Sequence, residues 1–220
     1  FAWQLDEALL QEKRFPTVQE LDSVVPDKPL LLRRIDGHSC MLNPFARKQI
    51  KDLATSTEIL RGAENDHAVH YFHNRLTDDR ILEAYQISAK LGLQAGFCSL
   101  HTMIGDAQNS ITHFELIRDN LDKFPLRFIL YPQSFNIEAA LNAGAKRIGG
   151  CIIADGSIGS ETAAVSEPYL NSTSRGVLYQ SNEFWHKFIS EASKHNLQVA
   201  VHCIGDRAIR QINNVYKTIS

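Results

Sequence analysis

Four side chains set the chemistry within reach of this sequence: His38, His101, Asp155 and His202. Each follows a short apolar run that reads as a strand. Residues 30–35 lead to Asp36-Gly37-His38, 96–100 to His101, 148–154 to Asp155, and 197–201 to His202. A neutral imidazole can ligate a metal or act as a general base, and a carboxylate can orient it. Where strands run parallel, their carboxyl ends converge on one face. Histidine and aspartate converging there point to a metal-dependent hydrolase, which makes hydroxide by lowering the pKa of a bound water. The bland alternatives are a strand-end histidine that donates to a backbone carbonyl and an aspartate that caps the turn it enters. His202 is the least bland, because Val199-Ala200-Val201 precedes it and Cys203-Ile204-Gly205-Asp206 follows.

Other groups carry less. His67, His70 and His73 form an HxxHxxH run, but in an irregular stretch without a partner carboxylate, so they read as a solvated segment. His113, His186 and His195 look like exposed helix positions. Glu161 and Glu167 flank a loop, but sequence cannot show the short carboxylate separation that a retaining glycosidase needs. No GxSxG elbow is present, because Asp155 stands where the first glycine would be needed before Ser157. Cys40, Cys98, Cys151 and Cys203 lie far apart without CxxC spacing and read as reduced thiols.

The elements that must position these groups alternate along the chain. Thr77 looks like an N-cap, with Ile81, Leu82, Tyr85 and Ala89 at helical spacing behind it and Gly92 as a stop. A helix is predicted over 111–123, a strand over 127–131, and a short helix from Asn136 to Gly144. Ser181 begins a helix with the apolar stripe Phe184, Phe188, Ile189 and Ala192, and Asp206 caps a last helix with Ile209, Ile212 and Tyr216. Apolar strands separated by helices argue for an α/β fold with a parallel sheet covered on both faces, as an open sheet or a (β/α)8 barrel. No GxGxxG or P-loop opens a helix, which lowers the nucleotide-binding version. Residues 55–76 are the least regular and read as a flap.

Composition bounds the rest. The 220 residues are 44% hydrophobic and 22% charged, the mix of a globular domain rather than a disordered one. A net charge of -2 leaves no electrostatic footprint for nucleic acid. No apolar run is long enough to span a bilayer, so no membrane partner is expected. No signal-like segment is visible, which gives a cytoplasmic expectation.

Together these segments resemble a known family. Phe15-Pro16-Thr17, Leu21-Asp22-Ser23-Val24, Pro26-Asp27-Lys28-Pro29 and Leu32-Arg33-Arg34-Ile35-Asp36-Gly37-His38-Ser39 look like the opening of a YtcJ-like amidohydrolase. Residues 96–101 resemble the family's strand ending in His. Ala154-Asp155-Gly156-Ser157-Ile158-Gly159-Ser160, with Thr162-Ala163-Ala164 and Ser166-Glu167-Pro168-Tyr169, is similar to its long loop motif. Val199-Ala200-Val201-His202-Cys203-Ile204-Gly205-Asp206-Arg207-Ala208 looks like its metal-ligand strand.

The resemblance implies a metal-binding (β/α)8 barrel of which residues 1–220 form the central part as a single domain, lacking the first and last strands. It implies His202 as a metal ligand. His38, His101 and Asp155, with Arg34 of the first motif, would bind substrate or polarise its carbonyl, and Asp206 and Arg207 would support the loop after the ligand strand. Where many relatives carry a lysine four residues before the Asp-Gly-Ser aspartate, this chain has Cys151, whose thiolate suits zinc or can be an inert core thiol. The implied reaction is hydrolysis of an amide or related C–N bond of a small molecule, with zinc as the expected metal. A His-x-His upstream of Phe1, and a His and an Asp downstream of Ser220, are expected to complete the ligand set. The chain alone is therefore expected to be inactive and, with unpaired edge strands, to self-associate. The competing expectations are a non-catalytic ligand-binding relative and an open-sheet enzyme unrelated to metals.

Overall fold

The computed structural model describes residues 1–51, 53, 58–105, 111–159, 161–170 and 172–219. The chain divides into two compact units, Phe1–Thr77 and Asp78–Ser220, where the sequence reading expects one domain.

Among the described residues the first unit is a four-stranded sheet with three α-helices and a 3-10 turn at Glu7–Leu9. Strands β1 (Ala2–Leu5), β2 (Leu31–Arg34), β3 (Ser39–Leu42) and β4 (Ile59–Arg61) lie in that order. β1 and β2 are parallel, and the other two pairs are antiparallel. Helix α1 (Val18–Val24) starts at a full capping box. Thr17 Oγ1 accepts from the Glu20 N–H, and the Glu20 carboxylate accepts from the Thr17 N–H. Helix α2 (Pro44–Gln49) has proline at its first turn and Asn43 as N-cap. The buried Asn43 amide accepts from Leu30 and Ala46 N–H and donates to the Val25 and Lys28 carbonyls. That satisfies its hydrogen-bonding capacity and ties α1, β2 and α2 together.

Leu31, Cys40, Leu42, Ala46, Ile50, Leu60, Ala68 and Val69 fill the core of this unit. The last two belong to helix α3 (Ala63–His73). Strand β4 and α3 therefore replace the irregular flap expected over 55–76, apart from 55–57, which lie outside the described residues. Only Ala68 and Val69 of α3 are buried apolar residues, too few to print an amphipathic pattern on a histidine-rich stretch.

The second unit alternates helix and strand: α4 (Asp78–Gln94), β5 (Ser99–Ile104), α5 (Thr112–Arg118), β6 (Arg127–Pro132), α6 (Ile137–Asn142), β7 (Arg147–Ile153), α7 (Asn182–Lys194), β8 (Gln198–His202) and α8 (Asp206–Ile219). β5 pairs with β6 in parallel over six residues. β7 pairs with β8 in parallel, with a bulge between Gly149 and Ile153. β6 packs beside β7. The α/β alternation and parallel pairing are those the sequence leads one to expect. Closure is not: among the described residues the strands form separate parallel pairs rather than a closed sheet. The core lies between strands and helices, where Trp185, Ile117, Ile148 and Ile104 are fully buried. Asn136 and Ser181 cap α6 and α7 through their side chains, at the two positions the sequence marks as helix starts. No helix among the described residues is long and apolar enough to cross a membrane.

Candidate functional site

Strand alternation in the second unit creates one face turned to the helices and one open face. On β5, Leu100 and Ile104 pack into the core while His101 and Met103 are exposed. On β7, Ile148 and Ile152 are buried while Cys151 and Ile153 are exposed. On β8, Val199 and Val201 pack against the core, which leaves His202 on the opposite side, half-buried. The open face thus carries His101, Cys151 and His202.

His101 is not at a strand end. β5 continues through Thr102-Met103-Ile104, residues suited to a strand, so the imidazole stands mid-strand opposite Ile129 of β6. Its Nδ1 lies 3.0 Å from the phenol oxygen of Tyr131, one pleat further along β6. Tyr131 is buried, and the Arg147 guanidinium approaches its ring at 5.7 Å from the centroid. Arg147 Nε donates to Gln198 Oε1 at 3.0 Å, so a polar chain crosses from β8 to β5.

Two glycines shape the middle of this face. Gly149 and Gly150 have φ of +97° and +90°, which glycine adopts without strain. A Cβ at Gly149 would stand 2.1 Å from the Ala200 carbonyl oxygen, and one at Gly150 would stand 2.2 Å from Met103 Cγ. The bulge they permit turns Cys151 outward, and Gln133 Nε2 donates to the Cys151 carbonyl at 3.2 Å. Desolvation raises the Cys151 thiol above the ordinary thiol range, which opposes the thiolate that a metal would need.

Asp155, just past β7, is fully buried and is consumed by the backbone. One carboxylate oxygen accepts from the N–H of Ile204 at 2.9 Å, and the other accepts from Ala164 and Gly205 at 2.7 Å each. It joins the end of β7, the long loop 156–181 and the loop after β8. The surrounding contacts are too tight for side chains. A Cβ at Gly205 would lie 1.9 Å from the Ala164 carbonyl, and one at Gly176 would lie 1.9 Å from that of Ala163. The Ser166 N–H donates to Asp206 Oδ1 at 2.7 Å, and its hydroxyl donates to the other oxygen of that carboxylate. Arg207 N–H donates to the Ala164 carbonyl at 3.0 Å. Asp206 and Arg207 thus bond to Ser166 and Ala164 of the long loop, whereas the support expected of them is for the loop after the ligand strand. The role expected of Asp155, facing substrate, is not visible: its oxygens face three N–H groups of the protein. Ser160 of the same motif lies outside the described residues.

The remaining two expected site residues belong to the first unit. His38 is exposed on the tight turn between antiparallel β2 and β3, not past the end of a parallel strand. Gly37, with φ +76°, makes that turn, and Asp36 accepts from the His38 N–H at 3.0 Å. Arg34 binds the Glu7 carboxylate at 2.8 Å and also pairs with Asp36. The Arg34 hydrogen bonds hold Glu7 below the usual carboxylate range, against the opposing charge of Asp36. The structure therefore gathers His101, Cys151 and His202 on one face, and gives Asp155 and Arg34 structural partners. Sequence reading missed Tyr131 and Gln133. Period-2 alternation from Phe128 would have placed Tyr131 on the His101 face.

The family of these residues follows from comparison with known proteins. A family model described as Amidohydrolase family matches residues 1–219. The chain belongs to the amidohydrolase family. YtcJ of Bacillus subtilis (strain 168), which carries an amidohydrolase name, is 26% identical over 224 residues, covering 90% of this chain and 42% of that protein. Protein LONG AFTER FAR-RED 3 of Arabidopsis thaliana is 25% identical over 240 residues, covering 93% and 41%. An uncharacterized metal-dependent hydrolase of Pyrococcus horikoshii OT3 superposes with a TM-score of 0.77 at 23% identity, over 98% of this chain and 47% of that one. One of Pyrococcus furiosus gives 0.70 at 25%, over 99% and 48%. The chain thus spans less than half the length of the relatives it matches. In this amidohydrolase chain no three His, Cys, Asp or Glu groups stand together as a metal site would require, among the described residues. His202 and Cys151 are two donors, and the residues described do not by themselves make a metal centre.

Proposed function

We propose that this chain is part of a metal-dependent hydrolase that cleaves a carbon–nitrogen bond, other than a peptide bond, in a small-molecule substrate. The open face of the second unit would be the wall of a (β/α)8 barrel and the reaction surface. The observation that supports this reading is the shared face itself: two imidazoles and a thiol on the side of the parallel strands away from the helices. His202 would supply one metal ligand and Cys151 a second, with zinc favoured by an imidazole–thiolate pair. Further ligands have to come from outside the described residues. His101 would hold the substrate carbonyl. Asp155 acts through the backbone, by fixing the loop that His202 enters, and is not placed to exchange a proton with substrate.

The test compares this chain with the complete protein after dialysis against zinc. Tightly bound metal and hydrolysis of p-nitroacetanilide, N-acetyl amino acids or formamides by the complete protein, with loss of metal in His202→Ala, support the reading. Hydrolysis by this chain alone at rates matching the complete protein would overturn its incompleteness. A second reading, a ligand-binding relative without catalysis, is favoured by the lack of a three-ligand cluster among the described residues. A complete protein that holds no metal and takes up none on titration would favour it.

Association of this chain with itself belongs to the same proposal. Among the described residues, β5 and β8 each pair on one side only, and such edges template further pairing. Sedimentation velocity at rising concentration should show dimers or larger species, and a monomer throughout would refute this.

A further inference from the structure

The Tyr131–His101 contact can be built in two ways: the imidazole donates from Nδ1 to the phenol oxygen, or the phenol donates to Nδ1. The surroundings decide between them. Tyr131 is 3% exposed, and its hydroxyl makes no other hydrogen bond among the described residues. If His101 donated, the phenolic hydrogen would be left without an acceptor in a buried position, which is costly. If the phenol donates, both groups are satisfied, and the exposed edge of the His101 ring carries its hydrogen into solvent. The phenol is held for this task. Its ring is buried beneath the Arg147 guanidinium, which Gln198 fixes from β8. The imidazole is tilted 34° to the phenol ring with centroids 5.7 Å apart, on the paired strands β5 and β6.

We propose that Tyr131 is a positioning residue that locks His101 in the Nε2–H tautomer, so that His101 presents a hydrogen-bond donor, not a lone pair, to the open face. This rests on the open face being the reaction surface and adds the role of one residue there. A fixed Nε2–H can donate to a substrate carbonyl oxygen and to the negative charge that develops on it. It cannot ligate a metal or accept a proton through Nε2 unless the Tyr131 bond is given up. No bond is broken in this role, and the hydrogen stays on Nε2. The fixed tautomer suits the substrate-polarising task expected of His101 and sets it apart from His202, the expected metal ligand.

The experiment is heteronuclear NMR of the 220-residue chain labelled with 15N-histidine at neutral pH, with the His101 signals assigned by their loss in His101→Gln. The expected wild-type pattern is a single unaveraged tautomer, pyridine-type Nδ1 and pyrrole-type Nε2, with a protected phenolic proton showing a contact to the His101 ring. In Tyr131→Phe, which keeps the buried ring, the His101 nitrogens should move to an averaged two-tautomer pattern while the other histidines stay in place. A pyrrole-type Nδ1 in the wild type would overturn the proposal, and so would a His101 pattern unchanged in Tyr131→Phe. If that variant does not fold, the wild-type tautomer and the phenolic proton contact decide alone. None of these readings depends on turnover. A complete protein that hydrolyses nothing would sink the hydrolase reading and leave the tautomer standing, and the opposite tautomer would do the reverse.

Discussion

Replacing Asp155 by alanine removes the one acceptor for three N–H groups, those of Ala164, Ile204 and Gly205. Hydrogen bonds to a charged group contribute about 1.5–3 kcal/mol each, and a buried donor left unpaired costs its full desolvation penalty. Three such bonds to a fully buried carboxylate, two of them buried and the Ile204 bond part-buried, give an expected loss of about 5 kcal/mol, a large share of the roughly 5–15 kcal/mol that holds a domain folded. Asparagine at this position would be milder. Its oxygen can serve the Ala164 and Gly205 donors, but its amide then faces the Ile204 N–H, donor against donor. The expected loss for Asp155→Asn is about 2–4 kcal/mol. The assay is urea unfolding followed by the fluorescence of Trp185, fully buried in the same core, in a Trp3→Phe background that silences the first unit. Falling stability in the order wild type, Asp155→Asn, Asp155→Ala, with these spacings, supports the clamp. An Asp155→Ala midpoint equivalent to within about 0.5 kcal/mol of wild type, with binding or turnover abolished in the complete protein, would refute it and return Asp155 to the substrate.

Three other outcomes are expected. Gly205→Ala should destabilise the second unit by about 3 kcal/mol or more, because the added carbon collides with the Ala164 carbonyl; Gly144→Ala, at positive φ but with open space around it, should cost about 1 kcal/mol, and equal shifts in urea midpoint would contradict the contact argument. Thr17→Ala should lower first-unit stability by about 1 kcal/mol through loss of the capping box, read by thermal melting. Burial pushes the Cys40 thiol up to about 12, so Ellman's reagent at mildly alkaline pH should label exposed Cys98 at once and Cys40 only on unfolding. Since the folded thiol keeps its proton where the unfolded one loses it, this stability is present below pH 9 and is lost as pH rises toward about 12. Rapid native labelling of Cys40 would contradict the burial.

Much of the second unit is legible in the sequence, because its signals are local. Ser181 and Asn136 announce helices that their own side chains cap, and apolar runs mark β7 and β8 within a residue or so. The clamp is not legible, because two of its donors lie 49 and 50 residues from Asp155, and nothing near that residue distinguishes a turn cap from an inter-loop anchor. His101 reads as a strand end because its polar ring looks like a terminus, yet β5 runs on to Ile104, since an open sheet face tolerates an imidazole mid-strand. The first unit is the hardest to read. Its strands are three or four residues long, too short to show a period, and its Asp36-Gly37-His38 turn has the look of a strand-to-loop exit in a parallel sheet. The antiparallel hairpin there depends on pairings that a one-dimensional pattern does not carry.

The Asp155 clamp also sets an order of events in time. A chain made from its amino end completes β7 and loop 156–181 well before Gly205 exists, since the bonds that close the loop come from beyond β8. Until then the Asp155 carboxylate stays hydrated, and the apolar residues that β8 and α8 later cover stay exposed. The first unit does not wait on later chain, because its core residues all lie before Thr77. During synthesis the protein therefore passes through a stage with one half finished and the other waiting. A slow stretch of translation between β7 and β8 lengthens that wait, and it is there that a nascent-chain holdase has the most to protect.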